Sequence, residues 1–226
     1  MKIEMPNYTA PPIPEGYKYV SGEWKTGFTI KSLNGNFDLG DYWTWVPVGC
    51  LRNNGTLDGK TFNLKFGRRN YNNEHFCYSE FNEKIDANLT KTLNTIDKYG
   101  GFYISTYLIS QDEDGFACSG PSKRLWTNID FETARHYAGT LGFSYTQSHL
   151  CYGAEIDSLI EWGTQYNPKV LNDLCLNTSQ WTMERYGQYS HVVRGSLDCM
   201  PLTTRTVQSD NYKSEQLGFR ATLYIP

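Results

Sequence analysis

The last fifth of the chain constrains its fold more than any other part. Between Ser179 and Pro226 it reads SQWTMER, then VVRGSLDCMPLTTR, then LGFRATLYIP. A Trp, an Arg-Gly-Ser turn, a Thr-Arg pair and a closing Leu-Gly-Phe-Arg run stand in fixed order. Runs this short, cut by Gly, Pro and Ser, suit short strands and loops. The chain has 226 residues, enough for one domain or two small ones. Its hydrophobic fraction of 39% and aromatic fraction of 15% are enough to bury a core, which excludes global disorder. A net charge of -3 leaves no basic excess to drive nucleic-acid binding. No apolar run approaches the ~18 residues of a membrane span. The opening, MKIEMPNYTAPPIPEGY, has no apolar core and no signal-peptide layout, so folding in a cytoplasm is expected.

Residues 1–16 read as a separate arm. Pro6, Pro11, Pro12 and Pro14 favour extended backbone that cannot join a central sheet. Two readings fit: a frayed terminus, or an arm that lies along a neighbouring subunit. From Tyr17 the pattern turns to β. Tyr17, Tyr19 and Val20 are followed by Phe28, Thr29 and Ile30, and Asn34-Gly35 is a hairpin-turn dipeptide. The run Tyr42 to Val48 alternates as a half-buried strand, and Pro47 sets it near an edge or a strand end. Residues 51–95 are polar and Asn-rich and read as a surface insertion with at most one short helix. Gly100-Gly101 permits a sharp turn into the β-formers Phe102, Ile104, Tyr107 and Ile109.

Two helices are expected next. Asn128 or Asp130 caps the first, and Phe131, Ala134, Tyr137, Ala138 and Leu141 share one face before Gly139 and Gly142 end it. The second starts near Ser148 and runs to Trp162, stopped by Gly163, with Ile156, Leu159 and Ile160 as its apolar side. The carboxylates Glu155, Asp157 and Glu161 on that helix read as a solvated face rather than a glycosidase dyad.

Cys50, Cys77, Cys118, Cys151, Cys175 and Cys199 show no Cys-x-x-Cys spacing, and reduced, mostly buried thiols are expected. His75, His136, His149 and His191 lack ligand spacing. There is no HExxH, phosphate loop or GxSxG motif. Asp112-Glu113-Asp114 ahead of Gly115 suggests a weak calcium site, with Asp112 and Asp114 as ligands. Three adjacent carboxylates cannot all point inward, so a solvated hairpin tip is the simpler reading.

The order RGS, TTR, LGFR, with WTWVPVG, GGFYISTYLIS and SHLCYGAEIDSLIEW upstream, resembles the formylglycine-generating (sulfatase-modifying factor) family. That family is a branch of the C-type lectin fold. The resemblance implies an α+β, C-type-lectin-like single domain over 17–226, with two helices packed on short antiparallel sheets. It makes Trp181, Arg194, Thr203, Arg205, Phe219 and Tyr224 framework. The family's enzymes hold copper on two cysteines. Here the first position is Cys199 and the second is Thr204, and one thiolate cannot make that site. The expectation is therefore no catalysis, no cofactor and a vestigial Cys199, with a copper-dependent formylglycine-generating oxidase or a degenerate relative as the alternative.

With its PEGYKYVSGEW opening, the chain resembles phage and prophage members of the family. They imply a virion surface protein: a capsid decoration, a head-fibre subunit or a tail receptor-binding module. Expected partners are other virion proteins through the arm, further copies of the chain, and a host surface glycan or protein. Tyr186, Tyr189, His191 and Tyr212, interleaved with polar residues, are the candidate ligand-binding face, since Tyr gives rigid contact area at low entropy cost. The competing reading places these rings in a loop-rich core.

Overall fold

The computed structural model describes residues 11–23, 26–33, 40–48, 86–121, 124–166, 178–195 and 202–226. Over these residues the chain is α+β, with three sheets and three helices. The largest sheet contains β1 (Tyr17–Ser21), β2 (Thr29–Ser32), β3 (Tyr42–Pro47), β4 (Gly101–Ser105), β7 (Gln147–Leu150) and β12 (Ala221–Tyr224). Its order is β1-β2-β3-β4-β12-β7, with every neighbouring pair antiparallel. The second sheet contains β8 (Ser179–Arg185), β9 (Ser190–Arg194), β10 (Arg205–Ser209) and β11 (Leu217–Phe219). It runs β10-β9-β8-β11, and β11 lies parallel to β8. A small hairpin joins β5 (Ser110–Gln111) to β6 (Ala117–Cys118).

The closing LGFRATLYIP segment ties the two large sheets together. Its first three residues pair with β8; one residue later the chain enters β12, between β4 and β7. The residue at that crossover is Arg220, which is buried. Its Nη1 donates to the carbonyls of Ser105 (2.8 Å) and Thr106 (3.0 Å), satisfying backbone acceptors where β4 ends.

The Tyr42 to Val48 run is a central strand, not a half-buried one. β3 lies between β2 and β4, and Trp43 to Val48 are all buried. Trp45 packs edge-on to Tyr103 with ring centroids 4.9 Å apart. Pro47 is the last residue of β3, where its missing N–H matters least. Asn34-Gly35 lies outside the described residues. The register Lys31↔Tyr42 makes the β2–β3 connection longer than a two-residue turn.

Among the described residues there are three helices: the two expected after Asn128, and one longer than the short helix allowed for residues 51–95. α1 (Ala87–Tyr99) occupies the end of the segment read as a surface insertion, whose residues 51–85 lie outside the described ones. Asp86 caps it, its Oδ1 accepting from the N–H groups of Asn88 and Leu89, and Gly100 at φ +82° ends it in the left-handed region. Its buried face is Leu89, Thr92, Thr95 and Ile96. Two of these positions are threonines, which hides the apolar period. Thr95 Oγ1 bonds both the carbonyl and the N–H of Ile225, so the hydroxyl docks the helix beside β12.

α2 (Phe131–Ala138) matches expectation. Asp130 is its N-cap, accepting from Thr133 N–H at 2.8 Å, and Phe131, Ala134 and Ala138 are buried. The next helix departs from it. Ser148 to Leu150 lie in β7, and α3 (Gly153–Tyr166) starts only after Tyr152 and runs past Gly163. Pairing with β12 holds Ser148 extended, and Tyr152 N–H is capped by Glu155 Oε2 at 2.8 Å. α1 packs on β4 and β12, α3 on β3 and β8, and α2 on β7, β8 and β11.

Residues 11–16 of the expected arm lie on the domain itself. Pro11 is buried, the carbonyl of Pro12 accepts from Tyr103 Oη (2.9 Å), and that of Gly16 accepts from Leu33 N–H (2.8 Å). Residues 1–10 lie outside the described residues.

Candidate functional site

β8 divides the second half of the molecule into two sides. Alternation along a strand sends Trp181 one way and Glu184 the other. Trp181 is fully buried, edge-on to Phe131 at 5.9 Å, and its Nε1 donates to the Ile129 carbonyl at 3.1 Å. It is core, as its framework reading requires.

On the opposite side lie four buried charges. Arg194 of β9 and Arg205 of β10 are directly paired across the strands, an arrangement of like charges that is unfavourable by itself. Two carboxylates bridge them. Asp157 of α3 reaches Arg194 Nη2 through Oδ1 (2.5 Å) and Arg205 Nη2 through Oδ2 (2.8 Å). Glu184 of β8 reaches Arg194 through Oε1 (2.6 Å) and Arg205 Nε through Oε2 (3.2 Å). The side chains of Arg194, Asp157 and Glu184 are wholly buried. Burial opposes the Arg194 charge, but Glu184 and Asp157 more than offset it and raise the guanidinium above its ordinary value. Gly153 has no alternative at this spot, because a Cβ there would collide with the Glu184 carboxylate.

Asp157 and Glu155 therefore do not lie on a solvated helix face. Glu155 is also fully buried; it accepts from Thr222 Oγ1 (2.6 Å) and pairs with His149 Nε2 (2.9 Å). The i,i+4 spacing of Asp157 and Glu161 suggested water, but the surroundings of Asp157 argue the other way. Gly153 and Ala154 precede it by one turn and Ile160 follows by one, so its face of the helix is small or apolar. With each Asp157 and Glu184 oxygen held by a guanidinium, this cluster is a strut that clamps α3 to the sheet.

The four candidate contact residues do not share one face. Tyr186 and Tyr189 flank the β8–β9 turn and are 47% and 69% exposed. That turn is closed by Tyr186 N–H to the Ser190 carbonyl (2.8 Å), and Gly187 takes φ +67° at its tip. His191 is buried: its ring stacks on Phe131 at 3.5 Å, and Nδ1 donates to Asp210 Oδ1 at 2.7 Å. Burial holds this imidazole below its ordinary value, against the opposing pull of Asp210. It is a core residue, because it lies two positions from Val193, the cross-strand partner of Trp181, and so shares the face of β9 that packs on α2. Tyr212 is half-buried and packs against the same core.

Cys199 lies outside the described residues; the carbonyl of Thr204 accepts from Gly195 N–H at 3.1 Å. Cys118 and Cys151 are buried. Burial, the largest influence, pushes the Cys151 thiol well above its ordinary value, which keeps it protonated and unreactive. Asp112 Oδ1 accepts from the N–H groups of Asp114 (3.1 Å) and Phe116 (2.7 Å), so it holds the β5–β6 turn. Among the described residues no group of three or more His, Cys, Asp or Glu is placed to hold a metal ion, and no helix is long and apolar enough to cross a membrane.

No family model, curated protein or solved structure matches the chain.

Proposed function

We propose that this chain is a binding domain of C-type-lectin-like type, in the formylglycine-generating subclass, carried on the surface of a phage particle and working by contact rather than catalysis. The observation that carries the reading is the division of labour around β8. Of the residues that the family motif treats as framework, Trp181, Arg194, Arg205, Phe219 and Tyr224 are buried and Thr203 is half-buried. Immediately beyond that framework the β8–β9 turn puts two tyrosines into solvent. A rigid, internally clamped scaffold presenting exposed Tyr on a short turn is the build of a recognition surface. Its contact partner in this reading is a host surface glycan or protein. Attachment to the particle involves other virion proteins and further copies of the chain.

An antibody raised against the purified chain tests the setting. In a lysate of the strain that carries the gene, fractionated on a density gradient, it should label intact particles and detect the chain in the particle band. Chain found wholly in the soluble fractions, with unlabelled particles, overturns the virion reading.

A further inference from the structure

We propose that the cavity between the β5–β6 hairpin and the C-terminal end of α2 is a binding site for a primary ammonium group carried on a small apolar or ring body. The site is separate from the Tyr186 and Tyr189 turn and does not depend on the reading given for it. The cavity has a volume of about 470 Å³, within the range of small-ligand pockets. Asp41, Phe116, His136, Tyr137 and Leu141 are among its lining residues.

Asp41 is the group that sets the chemistry. It is only 4% exposed, yet it lines the cavity. One oxygen has a partner: Oδ1 accepts from Ser119 N–H at 2.7 Å. Among the described residues no hydrogen bond is made to Oδ2. Its backbone is pinned as well, with its N–H donating to Ser32 Oγ (2.8 Å) and its carbonyl accepting from Ser32 N–H (3.0 Å). A carboxylate fixed in place and short of one partner needs a donor from elsewhere.

The surroundings favour a cationic donor. No Lys or Arg is among the described lining residues, and the negative charge of Asp112 acts on Asp41 from the neighbouring hairpin. Phe116 and Tyr137 supply aromatic walls, which attract cations, and Phe116 is 68% exposed at the hairpin, a large ring left in water. Burial, chiefly, and then Asp112 push the Asp41 carboxyl up to about 7, partly opposed by the Ser119 N–H. An ammonium partner relieves that penalty, so binding should favour the ionised form.

Two sources offer this chemistry: a free amino sugar or small amine, and the lysine side chain of a partner protein. The experiment titrates the intact chain at pH 8 with glucosamine, Nα-acetyl-lysine methylamide and neutral N-acetylglucosamine, read by calorimetry or by NMR shifts. At least one ammonium probe should bind tenfold or more tighter than N-acetylglucosamine. The tighter of the two identifies the source. Asp41→Asn should lose that binding tenfold or more while keeping its fold, as should the exposed-site variant Phe116→Ala to a smaller degree. Affinity should also weaken from pH 8 to pH 5.5. The other titratable groups around Asp41 are Asp112 on the hairpin, His136 and Tyr137 on α2, Tyr17 on β1 and Lys31 on β2. Only the part of the pH dependence that Asp41→Asn removes belongs to Asp41. Equal binding of the neutral probe, undiminished binding by Asp41→Asn, or no saturable binding by any probe overturns the proposal.

Discussion

Asp157→Ala should lower the midpoint of thermal unfolding by about 10 °C or more, the largest loss expected of any single substitution here. The residue sits in a ring of four buried charges and bonds both Arg194 and Arg205. Without it, Glu184 alone faces two guanidiniums that lie opposite each other across β9 and β10. Removing one member of a buried ion pair costs about 3–5 kcal/mol, since the partner is left charged and dry. That is a large share of the ~5–15 kcal/mol that holds a domain together. The double variant Asp157→Ala/Arg194→Met should lose less than the two single losses combined, because each single change strands the same partner. Calorimetric unfolding of the three variants checks this. A midpoint within a degree or two of the parent for Asp157→Ala contradicts the role of the cluster as a strut.

Asp41→Asn should do the opposite at alkaline pH. The Asp41 carboxyl is pushed up from the ordinary value of 3.8 to about 7, chiefly by burial. Between those values the folded chain holds a proton that the unfolded chain has released, so stability falls as pH rises from about 4 to 7 and stays low above it. The full gap corresponds to a ceiling of about 4 kcal/mol. Asn keeps the oxygen that accepts from Ser119 and cannot ionise. Its variant should melt several degrees above the parent at pH 8 and close to it at pH 4. A variant that melts below the parent at pH 8 shows that the ionised carboxylate stabilises the fold, and the account of this residue fails.

The sequence was most legible where local chemistry and tertiary packing agree. Asp130, Glu132 and the Phe131–Ala134–Ala138 face specify α2 by themselves, and the structure follows. It was least legible where polar residues take core positions. Thr92 and Thr95 break the apolar period of α1, so a docked helix read as an insertion. Glu155 and Asp157 looked solvated because the helical period assigns faces but does not say which strands cover them. Only the pairing of β9 with β10 brings Arg194 and Arg205 to Asp157. His149 was read into a helix because strand β7 is short and its partner, β12, lies more than 70 residues later in the chain. Which of the candidate contact residues reach solvent was legible only in part, for a similar reason. Tyr186 and Tyr189 flank a turn, whereas His191 falls two residues further on, at the start of a strand whose alternation sends it inward. The Asp41 cavity left no local trace, since its walls come from β3's approach, the β5–β6 hairpin and α2.

The claim that contact lies on the β8–β9 turn, apart from the framework beneath it, is tested most directly by the double variant Tyr186→Ala/Tyr189→Ala. The measurement pairs binding of the fluorescently labelled protein to intact cells of the host strain that the proposed virion role implies with the midpoint of unfolding. Interface aromatics cost about 1–2 kcal/mol each when truncated, so cell binding should weaken roughly 30-fold or more. Exposed substitutions stay within about 0.5 kcal/mol each, so the midpoint should move by no more than about 4 °C. Cell binding equal to that of the parent, or a midpoint that collapses in step with binding, contradicts it.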